Sequence, residues 1–341
     1  MRRINKALSQ ISIRELTSTA DGSRTVHATH RGEGKIVQIS MLNKKKLEAL
    51  DNIPVSVFRV YYRTLSVGRS KGFDDRFFET TIYRNSMMME ACTYSEKNNF
   101  HPLIGIGFDE EAFQVFWSGD FDERIDLVAK GSFALEIRVD LTKLQLDPES
   151  PDSMLRDVAK ILTADYWWLS RNNRGLGQIA EFDRQLMKVE DIAAVMLKAR
   201  IQTRLVALHT GLADGAVDCI KRRLFRERVM CQSSAGRIKQ AKATVTDLPI
   251  HSLVFVCCYL MLAADAMRSV NGRGVVAAHE QYKKITNALG ISNVDSLSSS
   301  NAYGLASALR AQEIELKPCA SCGQSHVHLI LSPAACPWCG K

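Results

Sequence analysis

Four cysteines near the C-terminus constrain this 341-residue chain more than anything else in it. Cys319-Ala-Ser-Cys322 and Cys336-Pro-Trp-Cys339 give the pattern C-x2-C-x13-C-x2-C. Each C-x2-C knuckle sets two thiolates about a metal's width apart, and two facing knuckles complete a tetrahedral all-thiolate site. Gly323 and Gly340 directly follow the second cysteine of each knuckle, where the turn calls for a residue tolerant of positive φ. Residues 317–341 are too few to build a core of their own, so a bound cation would supply most of their folding energy. Structural Zn2+ suits four sulfur ligands, and a saturated site leaves no open position for metal catalysis. The same thiols would also serve a redox pair or an iron–sulfur cluster. His326 and His328 lie between the knuckles and are expected on the surface, because four thiolates already fill the site.

The other five cysteines, Cys92, Cys219, Cys231, Cys257 and Cys258, are scattered. No apolar run follows the basic start Met-Arg-Arg-Ile-Asn-Lys, so a secreted disulfide framework is not expected and a reducing cytoplasm is. The longest apolar stretch, Leu253–Ala264, is shorter than the roughly 20 residues that span a bilayer and is expected as a buried core helix. No membrane partner is expected.

With 46% apolar and 24% charged residues, the chain is neither disordered, collagen-like nor membrane-embedded. Its net charge of +8 is unevenly placed. Residues 1–190 carry 27 basic and 27 acidic side chains, whereas residues 191–341 carry 18 basic and 10 acidic. The whole excess sits in the C-terminal part, the footprint of a module that meets a polyanion.

The fold class expected is α+β. Residues 1–150 read as an α+β domain of unassigned role. Its strand candidates are Arg24–His30, Lys35–Met41, Val55–Leu65, Thr80–Arg84, Phe113–Ser118 and Ser132–Leu141, with a short helix over Asn43–Leu50. The Pro-rich, acidic segment Asp147–Ser153 marks a linker. Residues 151–188 read as a helical connector, with a helix over Ser153–Leu169 capped by Ser153 or Asp152. Residues 189–316 read as an all-helical domain and residues 317–341 as a four-cysteine zinc ribbon. Within the helical part, apolar residues keep helical spacing from Gln178 to His209. Further helices are expected at Ala216–Met230, Ser234–Lys242, Ile250–Val270, Gly274–Leu289 and Asn301–Gln312.

Between Ala216 and Ala243 stand Lys221, Arg222, Arg223, Arg226, Arg228, Arg237, Lys239 and Lys242, opposed by Asp218 and Glu227 alone. These 28 residues thus hold a surplus of six positive charges. Val217, Ile220, Leu224 and Met230 are placed to anchor one helix face and leave the arginines outward. A turn at Cys231–Gly236 would separate this helix from a second basic one, the gross shape of a helix-turn-helix. A charge run of this kind is also what a solvated helix face shows. Five of the eight basic residues are Arg, which suits bidentate phosphate or guanine contacts.

The helix opening Val189-Glu-Asp-Ile-Ala-Ala-Val-Met-Leu-Lys-Ala-Arg200, the basic run Ala235-Gly-Arg-Ile-Lys-Gln240, the apolar helix around Phe255–Leu262, then Gly274–Tyr282, Asn301–Leu316 and the four cysteines follow one another in order. In that order they resemble FlhC, the zinc-containing subunit of the bacterial flagellar master activator, and FlhC-like activators of mobile elements. The resemblance covers 189–341. It departs from the family in a shorter spacer between the knuckles and in residues 1–188, which have no counterpart in FlhC and do not look like its partner FlhD. It implies a DNA-binding transcriptional activator, not an enzyme, of the kind that governs flagellum biogenesis. Such a protein binds double-stranded promoter DNA, works with an FlhD-like subunit in a hetero-oligomer, and contacts RNA polymerase.

Enzyme signals are weak beside these. Asp109-Glu-Glu111, Asp120, Asp122 and Glu123 form acidic clusters that a metal-dependent nuclease of mobile-element type would use, but solvated loops show the same pattern. Neither a phosphate-cradling G-x-x-x-x-G-K-[ST] nor a G-x-S-x-G occurs. Tyr166-Trp-Trp168 offers either base stacking or internal packing. A third reading is a non-catalytic adaptor whose ribbon binds protein.

Overall fold

A computed structural model describes residues 44–62, 101–105, 107, 112, 123, 133–171, 188–227, 240–263, 266–292, 295–332 and 334–341. The chain divides into two compact units, residues 1–174 and 175–341.

The described part of the first unit holds helix α1 (Lys44–Asn52), strand β1 (Phe58–Tyr62), the short helix α2 (Pro102–Gly105), strand β2 (Phe133–Ile137), a 3-10 turn (Leu141–Lys143) and helix α3 (Pro151–Arg171). β1 and β2 pair antiparallel, with Phe58 opposite Ile137 and Tyr62 opposite Phe133. β1 lies at the centre of the expected Val55–Leu65 strand, and β2 covers the first half of the expected Ser132–Leu141 strand, which ends at Ile137. The other four strand candidates lie outside the described residues. α1 falls where a helix was expected and ends before Pro54, whose missing N–H and fixed φ disfavour a helix interior.

α3 starts at Pro151, two residues ahead of the expected Ser153. Proline's locked φ suits a first turn, and its absent N–H would have no helical acceptor there. The hydroxyl that accepts from the Ser153 N–H, at 3.3 Å, belongs to Ser150, so the cap is neither Ser153 nor Asp152. Two carboxylates of α3 fix it within this unit. Asp157 accepts from the backbone N–H of Gln145 at 3.0 Å and of Leu146 at 2.7 Å. It thereby holds Leu146 at φ 51°, a conformation costly for a branched residue.

Asp165 lies between two buried guanidinium groups. Arg59 donates through Nε to Oδ1 at 2.8 Å, and Arg138 Nε sits 2.9 Å from Oδ2. All three side chains are at most 3% exposed. Arg138 also donates to the carbonyls of Ser56 at 3.0 Å and Leu103 at 3.2 Å. Burial lowers its pKa to about 10, against the pull of Asp165. Gly107 permits this arrangement: its φ is +69°, and a Cβ there would overlap the Arg138 guanidinium. Arg59 lies 4.0 Å over the Trp168 ring. Trp168 is thus engaged inside the unit by a cation–π contact.

The described residues of the second unit are mostly helical and carry one small two-stranded sheet. Its helices are α4 (Val189–Lys198), α5 (Thr203–Thr210), α6 (Asp214–Arg226), α7 (Ala241–Asp247), α8 (Pro249–Leu262), α9 (Gly272–Ala288) and α10 (Ser299–Arg310), followed by β3 (Ile314–Pro318) and β4 (Ser325–Leu329). α8 is apolar on all sides and buried from Ser252 to Leu262, as a central core helix must be. α7, α9, α10 and β4 pack around it, while α4, α5 and α6 pack on one another and α9 touches α4. No single helix among the described residues is long and apolar enough to cross a membrane.

Three helix expectations about this unit need correction, the first being that the helix expected over Ile250–Val270 ends at Leu262, where Ala263 is extended. The pattern expected to run through to His209 is interrupted between α4 and α5. Arg200 takes φ 64°, the Arg200 N–H reaches the Leu197 carbonyl, and the Ile201 N–H reaches that of Met196. This is the paired C-terminal cap usually built on glycine. A helix was also expected over Ser234–Lys242; residues 234–239 lie outside the described residues, and the helix does not run unbroken to Lys242, because Gln240 is non-helical (φ −59°, ψ 149°) and α7 begins at Ala241. α7 then runs through Thr244, Val245 and Thr246, β-branched residues that disguise a helix in sequence. Leu248 and Pro249 end it, and the chain turns by 118° into α8.

Candidate metal centre and basic helix face

The cysteine segment is not a free tail. Ile314 pairs with Leu329 and Leu316 with Val327 across an antiparallel hairpin. These residues are buried, with β4 lying against α7 and α8 and β3 against α10. Packing therefore supplies part of the folding energy that the short tail was expected to draw from a cation.

The two knuckles repeat one geometry. Gly323 N–H donates to the Cys319 carbonyl at 2.8 Å, and Gly340 N–H to that of Cys336 at 2.9 Å. Cys319 N–H donates to the Gln324 carbonyl and Cys336 N–H to the Lys341 carbonyl, both at 2.9 Å. Gly323 and Gly340 take φ +70° and +73°, as their positions demanded. Trp338 Nε1 donates to the Ser325 carbonyl at 2.7 Å and ties the second knuckle to β4.

The four sulfur atoms lie within 4.8 Å of one another. Cys319 Sγ is 3.8 Å from Cys339 Sγ, and Cys322 Sγ is 3.8 Å from Cys336 Sγ. A disulfide would need about 2.05 Å. A regular tetrahedron with metal–sulfur distances of about 2.3 Å has edges of about 3.8 Å, so the cluster fits one four-coordinate cation. Backbone N–H groups of Cys322 and Ser321 draw the Cys319 thiol down to about 6, while burial pushes Cys336 up to about 12. Four thiolates this close repel, and a cation removes that repulsion.

His326 and His328 stand outside the cluster. They are not both on the surface as expected: His326 is buried on β4 opposite Lys317, and His328 is half-buried opposite Glu315. The hairpin rests on helices, so its second face is partly covered too. Cys257 and Cys258 are inside α8, where burial raises both thiols, Cys258 to about 12. They are inert core residues.

The basic residues fall into separate places. Val217, Ile220 and Leu224 of α6 are buried, as the helical spacing implied. Arg222, Arg223 and Arg226 are exposed. Arg222 leans along the helix, its Nε 3.4 Å from the Asp218 carbonyl. Lys221 is half-buried and directs Nζ to Thr203 Oγ1 at 3.4 Å. Lys242 stands apart on α7, with Nζ 3.2 Å from Ser332 Oγ in the loop after β4. Arg228, Arg237 and Lys239 lie outside the described residues, as do Asp109, Glu110, Glu111, Asp120 and Asp122. Phe225, between Arg222 and Arg226 along the helix and not among the sequence-predicted site residues, is 52% exposed. Counting 100° per residue from Leu224 would have found it.

No family model, no curated protein and no solved structure matches this chain.

Proposed function

We propose that the protein is a DNA-binding transcriptional activator of the FlhC type. It acts at promoters with an FlhD-like subunit and RNA polymerase, and it holds a structural Zn2+ on Cys319, Cys322, Cys336 and Cys339. The observation that carries this reading is the outer face of α6, where Arg222, Arg223 and Arg226 are exposed in the unit that ends in the four-thiol cluster. Exposed guanidinium groups without acidic partners suit phosphate oxygens. Four sulfur donors at tetrahedral spacing suit zinc, and the saturated coordination assigns it a folding role.

The test is binding of the zinc-loaded full chain to promoter duplexes across a salt series, alone and with an FlhD-like protein. Binding should weaken steeply with salt. An Arg222→Ala/Arg226→Ala double variant should reduce the log–log slope by about 2, since each phosphate contact contributes about 0.9. A chain that holds zinc and shows no salt-dependent duplex binding under either condition sinks the reading.

A further inference from the structure

We infer that the outer face of α6 enters the major groove of duplex DNA and that Phe225 is its base-reading residue, seated against thymine methyl groups. This rests on the DNA-binding reading above and adds the side chain that sets sequence preference.

The face is fixed by the core on its other side. With Val217, Ile220 and Leu224 buried, Arg222 and Arg226 stand on the opposite side of the helix and Phe225 is exposed on the flank of that side. An isolated exposed apolar residue is ordinary. Here the residue stands along the helix between two exposed arginines, Arg222 one turn before it and Arg226 directly after it. No carboxylate among the described residues pairs with Arg223 or Arg226. Asp218 shares this side one turn before Arg222, and the exposed Glu227 ends the helix, so the cationic part is the stretch from Arg222 to Arg226.

Size and chemistry agree with a groove. A helix with its side chains is about 10–12 Å across, and the major groove is about 12 Å wide. Arginines on such a face reach the phosphates, which position the helix but carry no sequence information. The Phe225 ring beside them has no hydrogen-bonding group. The base edge it suits is the one that is apolar in the major groove, the C5 methyl of thymine. An anionic membrane would also attract the arginines. A membrane-surface helix, however, buries an apolar face in lipid. α6 uses its apolar face in the protein core and leaves one ring outside.

The test compares two duplexes of about 20 base pairs, alternating d(AT) and the same sequence with deoxyuridine for thymine. The full chain is titrated into each by fluorescence anisotropy at fixed salt. The wild type should bind the thymine duplex about fourfold more tightly, the ratio expected from burying one methyl group. Phe225→Ala should bind both duplexes equally, with the wild-type salt slope. Arg222→Ala/Arg226→Ala should lower affinity for both and keep the thymine preference. Equal wild-type binding to the two duplexes, or a preference that survives Phe225→Ala, overturns the inference and leaves DNA binding standing. Absence of duplex binding at low salt overturns both readings. Phe225-dependent binding to phosphatidylserine vesicles in place of DNA would assign the face to a membrane surface and also overturn both.

Discussion

The two units hold charge in opposite ways. In the first, Arg59 and Arg138 are buried against Asp165, and the counter-charge comes from the same chain. In the second, Arg223 and Arg226 face solvent with no ion pair to a carboxylate among the described residues, and four thiols crowd together within 4.8 Å of one another. Where the chain supplies the partner, the cluster holds the fold together. Where it does not, the cluster suits something from outside, an anion at α6 and a cation at the knuckles. Arginine as a residue type does not distinguish these cases, whereas burial and pairing do.

The sharpest challenge to this contrast is to remove the outside partner. Stripping the metal with a strong chelator at neutral pH should release one ion per chain and expose four reactive thiols. Isolated zinc peptides owe roughly 10–16 kcal/mol of folding to their ion. Here the packing of Val327 and Leu329 should preserve the helices, so far-UV circular dichroism should change little while the melting midpoint falls. A midpoint unmoved by metal removal would show that the thiol cluster needs no cation.

Removing the inside partner should cost somewhat less. Asp165→Ala leaves two buried guanidinium groups unpaired and should destabilise the first unit by about 3–5 kcal/mol in urea unfolding. A loss below about 1 kcal/mol would show that the buried cluster is not what holds α3 to β1 and β2.

Acid tests the second unit at a neutral buried group. His279 Nε2 donates to the Leu297 carbonyl at 2.8 Å, and its Nδ1 lies 3.3 Å from the Ser299 hydroxyl. Burial lowers its pKa from 6.5 to about 4. The unfolded chain therefore binds this proton first, and stability present above pH 6.5 is lost as the pH falls toward 4. The loss should approach about 3 kcal/mol. His279→Gln should flatten that part of the stability–pH curve, and an unchanged slope would reassign the acid sensitivity.

The smallest effect belongs to the exposed arginines. Arg223→Ala and Arg226→Ala should each change unfolding free energy by no more than about 0.5 kcal/mol. A loss of several kcal/mol would mean that these residues are structural after all, and the contrast with Arg59 and Arg138 would fail.

Helix endings show why part of the fold was legible and part was not. Three helices end in the same paired backbone cap, at Arg200, Gly290 and Gln312. Only Gly290 announces itself, because glycine takes φ > 0 without steric cost. Arg200 and Gln312 take it at 64° and 56° because the surrounding packing demands it, and no sequence pattern carries that information. The core helix α8 and the knuckles were legible, the first from its unbroken apolar run and the second from a spacing that few other structures explain.

The sequence by itself determined the spacing of the four cysteines, the two glycine turns, the buried side of α6 and the placement of excess charge in one half of the chain. Each is local, set by helical periodicity or by the steric limits of a single turn. The tertiary structure alone decided that the hairpin rests on α7, α8 and α10, that His326 is buried, and that Asp165 lies between Arg59 and Arg138. Those outcomes join residues up to 106 positions apart. Such pairs meet only when the core closes, because burial and the need to satisfy every buried charge act on neighbours in space and not on neighbours in sequence.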